Sequence, residues 1–267
     1  GILFSCSCFE GFCYDYVENN DSALIKVVYR RTMATDTINP MGNSIEENLI
    51  LKANSNLSIF YSEKLWEWWK TIASEKGNII NYFLDRNWHN SIAGLEYNIV
   101  YRNYTQNLTI DHQRYDLTNW ELVESIERPE WVICDSVCTI LNYECVMAKA
   151  NFRGRIWTAF FTPEIPIKEG PWKLCGLPGI ILKASDSKNH YSYEATELFT
   201  RNVGIVEFQM KRNRIKIKDR RKGLQYRRKC LSEDISKKIQ AAYCLDIKKV
   251  RHTPKNYDFE ETDYPHE

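Results

Sequence analysis

Three side chains in this sequence have the chemistry for proton transfer: Glu164, Asp186 and His190. A carboxylate beside an imidazole is the smallest pair that can move a proton near neutral pH. Asp186-Ser187-Lys188-Asn189-His190 is polar and reads as a turn, so one loop would present both groups. No nucleophile signature accompanies them. There is no Gly-x-Ser-x-Gly, no His-Glu-x-x-His and no phosphate-binding loop. The competing expectation pairs Glu164 with Arg153 or Arg155 and leaves His190 as a solvated loop residue.

The nine cysteines offer a second chemistry. Cys134, Cys138 and Cys145 could gather as soft ligands for zinc or copper. No C-x-x-C pair occurs, and strand-like surroundings would hold these side chains apart. In an exported protein the cysteines would instead form disulfides with at least one left over, in a connectivity the sequence leaves open. Leu3-Phe4-Ser5-Cys6 has the look of a bacterial lipidation site, which makes Cys6 a candidate lipid anchor. A signal remnant and an ordinary mature N-terminus are the alternatives. No cofactor motif is present.

These groups need a scaffold, and the pattern predicts one that is mainly β with minor α. Leu24 to Arg30, Leu49 to Lys52, Leu57 to Tyr61, Glu96 to Arg102, Leu108 to His112 and Trp120 to Ser125 read as strands. Ala53-Asn54-Ser55-Asn56 turns the second into the third. Tyr143 to Ala150 with Arg155 to Phe161, and Ile180 to Ala184 with Tyr191 to Leu198, read as two hairpins of one antiparallel sheet. Ile205 to Met210 continues it. Ser62 caps a helix in which Leu65, Trp66, Trp69 and Ile72 recur at helical spacing. A second helix spans about Ser232 to Tyr243. The predicted architecture is an antiparallel curved sheet or open β-barrel-like domain with one or two helices. The domain plan is a leader over 1–22, a β-rich domain over 23–210, and a basic strand and helix extension of it over 211–267.

Two rigid devices interrupt this plan between the hairpins: Gly170-Pro171-Trp172 and Gly176-Leu177-Pro178-Gly179. Pro178 fixes its own φ and extends Leu177. Pro followed by Gly fits the centre of a type II turn, which predicts a positive φ at Gly179. Trp172 is expected to close a core beneath the loop.

Those residues carry a resemblance. Asn142 to Ala150, Phe152-Arg153-Gly154-Arg155, Phe161 to Ile167, Gly170-Pro171-Trp172-Lys173 and Gly176 to Leu182 together resemble the GLPGLI family of the Bacteroidetes, Porphyromonas-type proteins of unknown function. The match is strong from about Trp131 to Tyr193. This chain departs by reading Ile180-Ile181 where Leu-Ile is usual. The resemblance implies an exported, extracytoplasmic protein of the cell envelope, and it brings no catalytic residues with it.

Composition narrows the partners. The formal charge is +1, from 36 basic and 35 acidic residues. That near balance hides the segment from Lys211 to Lys229, with eleven Lys and Arg against Asp219 alone. A solvated strand is the plain expectation for it. An anionic membrane surface is the alternative, and nucleic acid is not expected, because no base-reading fold or aromatic platform accompanies the charge. No run of about 18 apolar residues occurs, as a membrane-crossing helix would need. The expected role is that of an envelope binding or accessory protein for a peptide, lipid or partner. The alternatives are an uncatalogued envelope hydrolase and a Cys-based metal-binding protein.

Overall fold

The computed structural model describes residues 14–16, 21–39, 42–67, 97–115, 118–211, 214–232 and 258–265. The strands are β1 (Tyr14–Tyr16), β2 (Asp21–Ser22), β3 (Ile25–Ala34), β4 (Ser44–Ala53), β5 (Leu57–Ser62), β6 (Tyr97–Asn103), β7 (Leu108–Tyr115), β8 (Thr118–Ser125), β9 (Val132–Ile140), β10 (Tyr143–Phe152), β11 (Arg155–Thr162), β12 (Ile180–Asp186), β13 (Tyr191–Phe199), β14 (Ile205–Val206), β15 (Gln209–Lys211) and β16 (Ile215–Ile217). A short helix, α1, covers 63–67, and α2 covers Arg220–Ser232.

Twelve strands form one open sheet in the order β16-β8-β7-β6-β5-β4-β3-β13-β12-β11-β10-β9. Neighbours are antiparallel except β16, which runs parallel to β8. Both predicted hairpins lie in this sheet, joined through the β11–β12 ladder. Leu141 and Asn142 form a two-residue turn between β9 and β10, both at positive φ (50° and 67°). At the β4–β5 turn, the Asn54 side-chain oxygen accepts the N–H groups of Asn56 and Leu57, each at 2.8 Å. The Asx geometry explains why this four-residue segment reverses the chain.

Period-2 alternation feeds two cores, one on each face of the sheet. Leu49, Leu51 and Ala53 of β4 join Phe60 and Val100 in the larger core. Ile50, Ile59, Tyr61, Ile99 and Tyr101 join the smaller one. β5 is therefore buried along its whole length. The larger core is closed by Ile165, Ile167, Trp172, Leu174 and Leu177 of the β11–β12 connection, and by Phe259 and Tyr264 near the C-terminus. The smaller is closed by Val203, Val206 and Phe208, with Phe208 stacked on Tyr101 at 5.0 Å.

Several expectations need correction. The segment from Ile205 to Met210 does not extend the large sheet; β14 pairs with β2 and β15 with β1 as two small separate sheets. Tyr14–Tyr16 and Asp21–Ser22 are thus strands within the stretch read as a leader. β9 escaped the sequence reading because it is an edge strand in which only Cys134, Cys138 and Ile140 are half-buried, which leaves a weak alternation. The basic segment keeps the expected strand as β16 and from Arg220 onward forms α2, a helix the sequence reading did not place there. The helix read over Ser232 to Tyr243 lies outside the described residues, as does the continuation of the helix capped by Ser62. That cap is in place: Leu65 N–H donates to Ser62 Oγ at 3.4 Å.

Candidate functional site

The β11–β12 connection holds Lys173 between the buried Trp172 and Leu174. Lys173 Nζ meets three carboxylates from other elements: Glu261 at 2.6 Å, Asp111 of β7 at 2.7 Å and Glu124 of β8 at 3.2 Å. An ammonium carries three N–H bonds, so its donors are fully used. Burial opposes its charge, but Asp111, Glu261 and Glu124 outweigh burial and hold it protonated well above the usual lysine range.

Two arginines extend this network. Arg153, in the β10–β11 turn, pairs with Glu127 at 2.7 Å, Glu124 at 3.2 Å and Glu261 at 3.5 Å. Arg220, at the start of α2, pairs with Glu261 and Asp263, each at 2.5 Å. Burial would raise the Glu261 carboxyl, but Lys173, Arg153 and Arg220 hold it below the ordinary range. Asp263 is likewise held low against its burial, chiefly by Arg220.

Three further buried arginines tie the same region together. Arg102 of β6 pairs with Glu169 at 2.6 Å and donates to the Trp172 carbonyl. Arg31 of β3 pairs with Glu47 and, at 3.1 Å, with Glu260. Arg155 of β11 pairs with Asp186 at 2.9 Å and donates its Nε to the Phe259 carbonyl at 3.0 Å. The segment 258–265 is thereby bound along the sheet by cations from β3, β10–β11, the β11–β12 connection and α2. These contacts position the C-terminal segment against the sheet.

The sequence candidates fall out as follows. Asp186 and His190 are brought together, with Arg155 NH1 lying 3.4 Å from His190 Nδ1. Asp186 also accepts the N–H groups of Tyr191 at 2.7 Å and Lys188 at 3.2 Å, so it builds the β12–β13 turn. Burial and then Arg155 push the His190 imidazole below its usual value. His190 is buried, contrary to the solvated reading. Glu164 is exposed and accepts the Glu144 N–H at 3.3 Å. Its expected partners are engaged elsewhere, Arg153 with Glu124, Glu127 and Glu261, and Arg155 with Asp186.

In the signature loop, Gly179 is not at positive φ; Trp172 (53°) and Gly176 (95°) are. Glycine is needed at 179 for a different reason. A Cβ there would overlap the Thr162 carbonyl oxygen and sit 2.6 Å from its carbon and 2.9 Å from Pro163 Cα. At Gly170 a Cβ would lie 2.8 Å from the Leu174 carbonyl oxygen. Pro171 and Pro178 hold the two bends between these contacts, and Leu177 is buried as part of the larger core. Trp172 is buried as expected, 5.6 Å from Trp157 and 5.9 Å from Phe152 between ring centres.

Cys134, Cys138, Cys145 and Cys175 carry no disulfide. Cys138 and Cys145 face each other across the β9–β10 ladder. Cys134 instead turns its thiol to the Val132 carbonyl at 3.7 Å. Among the described residues no group of three or more His, Cys, Asp or Glu is placed to hold a metal. Cys6 lies outside them.

Part of the basic segment is answered by the protein itself. Arg214 pairs with Glu121 at 2.8 Å, and Arg228 with Asp258 at 3.4 Å. Arg227 stands 4.2 Å above the Phe259 ring. Lys216, Lys218, Arg221, Lys222 and Lys229 are exposed. The sequence reading missed this complementarity. The signal was present in the acidic run Glu260-Glu261-Thr262-Asp263, which is opposite in sign to the basic run, and in Lys173, a lone charge inside an apolar stretch.

One surface stands apart. β9 ends the sheet with its outer backbone edge unpaired within the twelve-stranded order, and Val132, Ile133 and Val137 are 67%, 56% and 60% exposed. Among the described residues no helix is long and apolar enough to cross a membrane.

The fold is an open, almost wholly antiparallel sheet, and the β11–β12 connection closes its larger core. A family model described as a protein of unknown function, Porph_ging, matches residues 153–183, which run from the β10–β11 turn through that connection into β12. Among solved structures the chain is similar to PNGF-II in two crystal forms. In the P21 form the TM-score is 0.46 at 13% identity, covering 72% of this chain and 31% of that one. In the C2 form it is 0.46 at 14% identity, covering 67% and 28%. This chain thus spans less than a third of the length of PNGF-II. The comparison with curated proteins gives no match.

Proposed function

We propose that this chain is an exported cell-envelope protein of the GLPGLI family that binds an extended segment of a partner protein along β9. The single observation that supports a binding role is that edge. Nine residues of strand end a sheet with exposed β-branched side chains and one charge, Asp135. Natural sheets guard such edges with lysines, prolines or covering loops, because an open ladder recruits any extended chain. β9 carries neither lysine nor proline along its length, and its ladder with β10 is irregular between Val137 and Ile133. Strand addition would supply backbone hydrogen bonds for affinity, and the exposed Val132, Ile133 and Val137 would select alternate side chains of the incoming segment. The match of residues 153–183 to an unknown-function Porphyromonas-type model supports the family and, through the resemblance, the envelope location.

Selection of displayed random peptides against the full chain, then titration of the enriched sequences, tests the binding role. Peptides with alternating β-branched residues should emerge, and Val137→Lys should weaken them by about tenfold or more. No enrichment, or affinity indifferent to Val137→Lys, refutes it. Recovery of the protein with the cytoplasmic fraction of its native host refutes the envelope location.

A further inference from the structure

We propose that Cys138 and Cys145 form a reversible cross-strand disulfide that fastens the edge strand β9 to β10. The two residues are direct partners in the antiparallel register. Direct partners point to the same face of a sheet, and both belong to or pack against the larger core. The type I′ pattern at Leu141 and Asn142 fixes the register, since positive φ at both central residues defines that hairpin turn. Counting from the turn, Ile140 and Tyr143 close it, Thr139 and Glu144 follow, and Cys138 and Cys145 form the next wide pair. Such pairs hold their Cα atoms about 5.5 Å apart. Disulfides span roughly 4.4–6.8 Å between Cα atoms.

The side chains must lean together from that separation, so the bond is strained and readily reduced. β9 has room to give: its register with β10 shifts between Val146 and Ala148, next to the pair, and among the described residues no other strand lies on its outer side. Access is asymmetric. Cys145 is fully buried, with its thiol pushed up to about 11 by burial and by the neighbouring Cys138. Cys138 is half-buried; burial raises its thiol too, but Lys183 works against that rise. Cys138 is therefore the entry point.

The step is thiol–disulfide exchange with a small-molecule disulfide. Cys138, as thiolate, attacks one sulfur of the reagent, forming a mixed disulfide and expelling one thiolate. Cys145 gives up its proton to solvent and attacks the Cys138 sulfur, expelling the second. Two protein thiols are oxidised and one reagent disulfide is reduced to two thiols. The inference does not depend on what β9 binds.

The test treats the full chain with oxidised glutathione, blocks remaining thiols with N-ethylmaleimide, and digests with a protease that cleaves after Glu144 and Tyr143. Cys138 and Cys145 should appear in one linked peptide pair that separates on reduction. The Cys134→Ser chain should retain the link, and Cys138→Ser should leave Cys145 blocked or unmodified but unlinked. Excess reduced glutathione should reopen it. Alkylation of both residues, or a link from Cys138 to Cys134, overturns the pairing. A bond that survives reduced glutathione overturns its reversibility.

Discussion

Removing the Lys173 ammonium should unfold the protein more easily than removing any exposed charge. Lys173→Met keeps the length of the side chain and deletes one cation from three buried or half-buried carboxylates. Breaking a buried pair from one side costs about 3–5 kcal/mol, because the abandoned charge stays out of water. Here the geometry favours the low end. Glu124 keeps Arg153, and Glu261 keeps Arg153 and Arg220. Asp111 keeps a neutral donor, Gln113 Nε2, at 3.0 Å. The expected loss is about 3 kcal/mol, against a typical total of ~5–15 kcal/mol. It corresponds to a fall in melting temperature of roughly 6–12 °C for a domain of this size. Urea unfolding of wild type, Lys173→Met, Asp111→Asn and the double variant gives the coupling directly. The double variant should recover part of the loss, because Asn at 111 needs no counter-charge. A single variant within about 1 kcal/mol of wild type would refute the reasoning, as would a double variant no better than the single one.

Two other outcomes are expected. Gly179→Ala should cost about 1–3 kcal/mol in urea unfolding, because the added methyl meets the Thr162 and Pro163 backbone, which yields little; Gly179→Asn should fare no better, and a rescue by Asn would restore the positive-φ explanation. Acid should destabilise the protein through the C-terminal segment: with Glu261 and Asp263 held low in the folded chain, their stabilisation is present above ordinary carboxylate values of about 4 and lost as pH falls through their folded values. Glu261→Gln should shallow that acid limb, and an unchanged slope in a pH series of melts would contradict the ion network's role.

Much of the fold was legible in sequence because strands with one buried and one differently buried face write a period of two. Leu49, Leu51 and Ala53 against Ile50 is such a record, and so is Phe60 between Ile59 and Tyr61. The Asn54 turn was legible for the same local reason, since its side chain acts on backbone two or three residues away, whereas the Leu141-Asn142 turn went unread together with β9. The importance of glycine at 179 was also readable, but its cause was not. Pro178 suggested a dihedral requirement, whereas the constraint is the backbone of Thr162, seventeen positions upstream, lying against it.

The candidate site was the least legible part, since nearly every contact in it joins residues far apart in the chain. Arg155 lies 31 residues from Asp186 and 104 from the Phe259 carbonyl. Arg102 lies 67 from Glu169. Local pattern carries the burial of a side chain and the turn of a backbone, because both are settled by near neighbours. It does not carry which charge meets which, because Coulomb attraction is indifferent to sequence order and is decided by where the sheet brings its strands. So the sequence by itself determined a β-rich chain, its hairpins and its rigid loop. The tertiary structure alone decided that the basic segment is answered by Glu121, Asp258, Glu261 and Asp263, that Glu164 stands apart from Asp186 and His190, and that β9 is left at the edge.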